Sequence, residues 1–215
     1  MELTSYLLGK KAGGGGGGSV EDYFYTNIDH NTGYDDNYGS IAKKTPPLTL
    51  SSNVTSLNSC FMNGNFQSVD VSNWDTSNIT DMGNMFSQCK KIEELDLSNF
   101  NTSNVSGMGS CFNVCSNLRK LDLSSWKNDK VNISTGMTYM FANCPKLAIL
   151  DISSMSYIRG TNPFSNCGDN CLQSDGAYAD GIPYVYVKDA YMQGRVISSK
   201  GNNVWSTANV IIKEQ

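Results

Sequence analysis

At 215 residues the chain fits one domain with small appendages. Only 17% of its residues are charged against 39% hydrophobic, so Ser, Asn, Thr and Gly carry the polar role, a bias that suits a β-rich repeat with short hydrogen-bonding turns. The formal net charge of −4 argues against a nucleic-acid partner, which needs clustered Lys and Arg, and no apolar run approaches the roughly 18 residues that span a bilayer.

Residues 1–19 read as an anchoring peptide and a linker. Leu3, Tyr6, Leu7 and Leu8 give ELTSYLLGKKA an apolar side if it turns as a helix, and Gly13 to Gly18 form a flexible tether. An isolated helix of this length is marginal in water, so the segment is either a docking peptide for another protein or a disordered tail. Leu7 and Leu8 precede Lys10 and Lys11, the reverse of a secretory signal, so the expectation is synthesis and folding in a reducing cytoplasm. Residues 20–48 are rich in Tyr, contain no repeat, and are expected to cap the first turn of a repeat stack.

Residues 49–172 are repetitive. VDVSNWDTSNITDMGNMFSQCKKIEE from Val69 aligns with LDLSNFNTSNVSGMGSCFNVCSNLRK from Leu95, with LDLSSWKNDKVNISTGMTYMFANCPKLAI from Leu121, and with LDISSM from Leu150. The steps are 26, 26 and 29 residues, the extra three lying between Trp126 and Met137. NVTSLNSCF from Asn53 is a degenerate earlier copy.

The alignment generates columns. Asp70, Asp96, Asp122 and Asp151 form one; Phe61, Phe86, Phe112, Phe141 and Phe164 another; Cys89, Cys115, Cys144 and Cys167 each follow a Phe by three residues; Leu57 begins a column of Met82, Met108 and Met137. Alternation around Leu95, Asp96 and Leu97 predicts a one-sided strand with the leucines inward and Asp outward. Stacked copies then form a parallel sheet with rungs about 4.8 Å apart, because no single turn buries its own apolar face. MGNMF predicts one helical or 3-10 turn on another side. The predicted class is thus a short right-handed α/β-type solenoid of about five repeats, β-rich, with caps at both ends.

Two columns are candidate binding features. At a rung spacing of about 4.8 Å, Asp70, Asp96, Asp122 and Asp151 repel by roughly 0.9 kcal/mol per neighbouring pair even in water. Either Ser72, Ser98, Ser124, Ser153 and nearby amides offset this, or a cation or basic partner does; bound Ca²⁺ is the minor alternative, since strands seldom supply six to eight oxygens. Trp74, Phe100, Trp126 and Met155 lie four residues beyond each Asp, either as packing between turns or as an exposed aromatic stripe suited to glycan or protein recognition.

Residues 173–215 depart from the repeat and are expected to form a β-α-β cap: a strand in IPYVYVKD, a helix capped by Asp189 and running through Val196, and a final strand in VWSTANVIIKE.

Catalytic and metal chemistry finds little material. His30 is the single histidine and lies far from every Cys column, so the expectation is that the chain is not an enzyme. C-x₃-C spacings at Cys111/Cys115 and Cys167/Cys171 are weak zinc signals, because Cys111 takes the slot of Met85 and Met140; no metal and no cofactor are expected. All seven cysteines are expected to be free. The Gly run lacks the Lys-Ser or Lys-Thr ending of a phosphate loop, and the N-x-S/T sequons at Asn53, Asn78, Asn101, Asn104 and Asn132 largely repeat the consensus.

LDLSNFNTSNVSGMGSCFNVCSNL resembles the BspA-type leucine-rich repeat, whose unit reads roughly LDLSNFDTSNVTDMSSMFSGCSSL, over about Leu48 to Cys167. The tail is similar to that family's C-terminal segment, with Trp205 and Ser206 in place and Lys188 where a proline is usual. MELTSYLLGKKAGGGGGG resembles leaders of phage structural proteins. These resemblances imply a binding or adhesion role. They favour a phage virion accessory protein (fibre, decoration or tail-associated), made in the host cytoplasm and docked through residues 1–12 on a virion structural protein, with its repeats displayed towards a host cell-surface protein or glycan. A bacterial cell-surface adhesin of the BspA type is the alternative, and a structural protein without ligand the next; homo-oligomers remain open.

Overall fold

The computed structural model describes residues 50, 52–64, 66–132, 134–168, 184–200 and 210–213. Leu3, Tyr6, Leu7, Leu8, the 20–48 segment with His30, Cys171, Trp205 and Ser206 lie outside them.

Because successive copies of the LDL motif share one alternation, they pair in register. Strands β1 (Glu94–Asp96), β2 (Lys120–Asp122) and β3 (Ile149–Asp151) stack in parallel, and β4 (Tyr184–Val187) and β5 (Val210–Ile212) continue the same sheet in the order β1-β2-β3-β4-β5. Leu95, Leu121, Leu150, Val185 and Val210 form one buried rung-to-rung column. Helix α1 (Ala190–Lys200) joins the last two strands, and Asp189 caps it by accepting the Met192 amide at 2.9 Å. It runs four residues past the expected end at Val196. Met192 and Val196 enter the core, and Gln193 Nε2 donates to the Val210 carbonyl at 2.7 Å.

Between strands the chain makes a succession of tight turns. Trp74, Phe100, Trp126 and Met155 amides each donate to the carbonyl three residues back, as do Ile79, Val105 and Val131. The fold is a parallel-strand solenoid with little helix. At MGNMF, where one helical or 3-10 turn is expected, a single turn closes from the Met85 amide to the Met82 carbonyl at 3.3 Å, but Asn84 and Gln88 adopt left-handed φ values of 55° and 64° and no helix continues. Instead the amides of Met82, Asn84, Phe86 and Gln88 all point to the following turn, bonding the carbonyls of Gly107, Gly109, Cys111 and Asn113 at 2.7–2.9 Å. Met108, Ser110, Phe112 and Val114 repeat this onto Gly136, Thr138, Met140 and Ala142 at 2.8–2.9 Å.

Two columns of left-handed residues make the ladder possible: Ser59, Asn84, Ser110, Tyr139 and Asn162, and Asn63, Gln88, Val114, Asn143 and Asn166. Asn tolerates this conformation, whereas β-branched and bulky residues rarely do. The three extra residues of the third repeat fall between Val131 and Met137, since Trp126 and Val131 keep the spacing of Phe100 and Val105. Asn132 closes the bulge by accepting the amides of Ser134 and Thr135. Gly136 is required there, because a Cβ would sit 2.4 Å from a Val131 methyl.

The core is a single cluster threaded by a long aromatic stack. The rings of Phe61, Phe86, Phe112, Phe141 and Phe164 lie nearly parallel, at successive centroid distances of 5.1, 5.8, 5.8 and 5.4 Å. Phe112 sits at its centre, fully buried, also 5.8 Å from Trp126. Phe112→Ala should destabilise the fold by about 3–5 kcal/mol in a denaturant melt; a loss below about 1 kcal/mol would contradict the inward column. Val114→Asn should act oppositely. It removes a β-branched residue from a left-handed position held by Asn in three other turns, and should raise stability by about 1 kcal/mol.

Candidate functional site

The outer face of the sheet is the candidate site, because strand alternation places the Asp column there. Asp96, Asp122 and Asp151 are in register on β1, β2 and β3, and the column continues into Tyr186 on β4 and Ile211 on β5. The neighbouring column runs Glu94, Lys120, Ile149 and Tyr184. The face therefore grades from charged at β1 to aromatic and aliphatic at β4 and β5, where Tyr184, Tyr186 and Ile211 are half-buried. Asp70 and Asp96 are exposed, Asp122 is half-buried, and Asp151 is buried.

Each Asp closes a turn. Its Oδ1 accepts the amide two residues on, from Ser72, Ser98, Ser124 and Ser153, at 2.9–3.0 Å. Ser72 Oγ also donates to Asp70 at 2.7 Å. The serine hydrogen bonds hold the Asp70 and Asp96 carboxyls below their ordinary value, against burial and, at Asp70, the charge of Asp96; Lys120 assists at Asp96. At Asp122 burial is the largest influence and pushes upward, but Ser124, Lys213 and Lys120 together bring the carboxyl below its usual value. Lys213, one residue past β5, reaches across β4 to Asp151 at 2.6 Å; that hydrogen bond and charge raise its own pKa. The serine amides expected to offset the like-charged column are present on every Asp, and at Asp151 a lysine of this same chain adds to them. Among the described residues no group of three or more His, Cys, Asp or Glu side chains is arranged to hold a metal ion.

The exposed-stripe reading of Trp74, Phe100 and Trp126 is corrected. All three are buried and lie nearly parallel, with centroids 6.2 and 6.1 Å apart, and Phe61 and Phe112 of the Phe column pack on this second stack. Here the rings fill the core between turns that cannot each make one alone, which leaves them no surface for a ligand. Trp126 Nε1 donates to the Leu97 carbonyl of the preceding turn at 3.3 Å.

Two further columns act through backbone groups. Thr76 is buried, donates to the Asn101 carbonyl at 3.2 Å and accepts the Asn101 amide at 2.8 Å. Thr102 does the same to Lys127, at 2.8 and 2.7 Å, and Asn128 takes the slot in the third turn, accepting the Ser156 amide. Their 26-residue spacing was the available signal. The cysteines are donors as well as small apolar fillers: Cys89, Cys115 and Cys144 thiols donate to the carbonyls of Phe61, Phe86 and Phe112 at 2.9, 3.1 and 3.0 Å.

Cys60, Cys89, Cys111, Cys115, Cys144 and Cys167 are all free and buried. Burial pushes the Cys89 thiol up to about 12 and drives Cys60, Cys111 and Cys115 well above the thiol range. A thiol so placed is not a nucleophile near neutrality.

The fold and this face define a repeat solenoid with a patterned outer sheet. Residues 50–156 match the family model described as a Mycoplasma protein of unknown function, DUF285. That stretch lies within the repeat region read from the sequence. No curated protein and no solved structure matches the chain.

The buried thiols fix an alkaline response. In the unfolded chain they ionise near 9.0, whereas in the fold Cys89 keeps its proton to about 12. The folded state then binds more protons, so stability is intact below about pH 9 and falls as pH rises from there towards about 12. Cys89→Ala should make denaturant melts between about pH 9 and 11 less steep in pH than those of the parent. Near neutral pH, iodoacetamide should leave the six described thiols unlabelled in the folded protein and alkylate them all after unfolding without reductant.

Proposed function

We propose that the chain is a non-enzymatic binding protein, a phage virion accessory built on BspA-type leucine-rich repeats closed by caps. In this reading residues 1–12 anchor it to a virion structural protein, and the solenoid displays its outer sheet face to a host cell-surface component. The observation that carries the binding role is that face: two register-locked columns whose side chains grade from carboxylates to half-buried tyrosines. An extended surface with one charged and one aromatic end suits recognition of a macromolecule more than turnover of a small substrate. The carboxylates on it that shift are all held in the ionised form, which serves charge complementarity better than proton transfer near neutral pH.

The anchoring role draws on the apolar positions Leu3, Tyr6, Leu7 and Leu8 ahead of six glycines. A glycine tether transmits no fixed orientation, so the leader and the solenoid act as separate units. The repeat consensus itself favours a second reading, a bacterial cell-surface adhesin.

Removing residues 1–18 should leave the melting temperature of the solenoid unchanged, because stacking is between neighbouring turns. The same truncation should abolish co-sedimentation with purified phage particles. Unfolding on truncation would make the leader part of the core. Undiminished co-sedimentation would place the anchor elsewhere, and the absence of co-sedimentation by the full chain would leave the adhesin reading in its place.

A further inference from the structure

A different face carries an independent assignment. The turns that hold the forward-pointing amides present five aligned segments: residues 58–63, 83–88, 109–114, 138–143 and 161–166. None of them contains an Asp, Glu, Lys, Arg or His, although 17% of the chain is charged. The sheet face, by contrast, carries Glu94, Asp96, Lys120 and Asp122 on its first two rungs.

This neutral face carries an amide ladder. Asn143 Nδ2 donates to Asn113 Oδ1 at 3.2 Å, and Asn166 Nδ2 donates to Asn143 Oδ1 at 2.9 Å. Each amide uses part of its capacity on its neighbour and keeps further donor and acceptor positions. Beside the ladder stands Tyr139, four residues before Asn143 in the same turn. It is 40% exposed, and among the described residues its hydroxyl has no hydrogen-bond partner and its ring no aromatic partner. Tyr191, the other exposed tyrosine among the described residues, differs in being tied to Arg159 at 3.1 Å.

Tyr139 also sits where its backbone opposes it. Its φ is 54°, in a column whose other members are Ser59, Asn84, Ser110 and Asn162. Small or amide side chains fill that column because a bulky residue is strained there. A strained, solvent-facing aromatic at such a position is the kind of outlier that points to a role other than folding.

We propose that this turn face binds a neutral glycan, with the Tyr139 ring stacking on the apolar C–H face of a pyranose and the Asn113–Asn143–Asn166 amides pairing with its hydroxyls. Planar amides both donate and accept, as sugar hydroxyls do, and a face without charge neither attracts nor needs to desolvate ions. The five segments themselves offer a sialylated or sulfated glycan no cation. The assignment rests neither on the leader nor on the outer sheet face, and it stands if either of those roles fails.

The test uses the full-length chain on a printed array of neutral oligosaccharides built from glucose, galactose, mannose and N-acetylglucosamine, beside sialylated and sulfated ones. The wild type should retain neutral glycans. Tyr139→Asn should lower retention by about tenfold or more while raising the melting temperature, since it removes both the ring and the strain. Tyr139→Phe, which keeps the ring, should stay within a few-fold of the parent, and Asp75→Asn, on a distant exposed turn, should match it. Asn143→Asp should bind less than the parent. The assignment is overturned if the wild type retains no neutral glycan, if it retains only charged ones, or if folded Tyr139→Asn binds as well as the parent.

Discussion

The structure depends on one repeated contact: the backbone amides of alternate residues in each turn face reaching forward to the carbonyls of the next. Four such bonds at each of the first three junctions, and three at the fourth, lock neighbouring repeats at a fixed spacing, and the side chains follow. Only at that spacing do Phe61, Phe86, Phe112, Phe141 and Phe164 stack at 5.1–5.8 Å, and only then do the thiols reach the carbonyl one turn back. The geometry has a conformational cost, two left-handed residues per turn, and Asn, at half of these positions, lowers it. Pro163 shows how closely the pattern is tuned. It takes the slot of Met85, Cys111 and Met140, whose amides make only a weak contact within their own turn, so the missing N–H costs little while its carbonyl still accepts Phe141.

On the sheet side the same stacking imposes a penalty. A strict repeat puts identical carboxylates on adjacent strands, where they repel. The chain answers locally with a serine amide on each Asp, and once non-locally with Lys213, a cation 62 residues further on that lands on the most buried member of the column. Burial rises along the column from Asp70 to Asp151, and the compensating charge is placed where water compensates least. The acidic column is therefore self-contained at its β5 end and open at its β1 end, which confines any electrostatic role to Asp70, Asp96 and their surroundings.

Much of this was legible in the residues. The period placed the strands, the Leu, Met, Phe and Cys columns, and the inward–outward alternation at Leu95–Asp96–Leu97, because stacking forces identical residues into identical environments. Asp189 as a helix cap was readable from local sequence alone, because capping is settled within one turn. Three things were hidden. The conformation of MGNMF depends on hydrogen bonds to the next turn, which no local propensity encodes. The burial of Trp74, Phe100 and Trp126 depends on how wide each turn is, and a column of aromatic residues reads alike whether it faces in or out. The Lys213–Asp151 pair joins segments outside the repeat, where no alignment of copies can predict a neighbour. The neutral turn face was visible as a lack of charge, but its significance needed the φ of Tyr139, a backbone property that composition does not carry.

The forward direction of the turn-face amides has a consequence for how such a chain changes length. Since each interior turn gives its donors to one neighbour and its acceptors to the other, the first three junctions, each of four amide bonds, are chemically the same joint. A whole repeat inserted or excised at any of them rejoins donor to acceptor without disturbing the two ends. The third repeat, which absorbs three extra residues at Asn132–Gly136 while still accepting all four bonds from the turn before it, shows that even the period can stretch provided the joint is kept. The solenoid is a ruler whose graduations can be added or removed, so its reach can vary while its surface chemistry is inherited turn by turn.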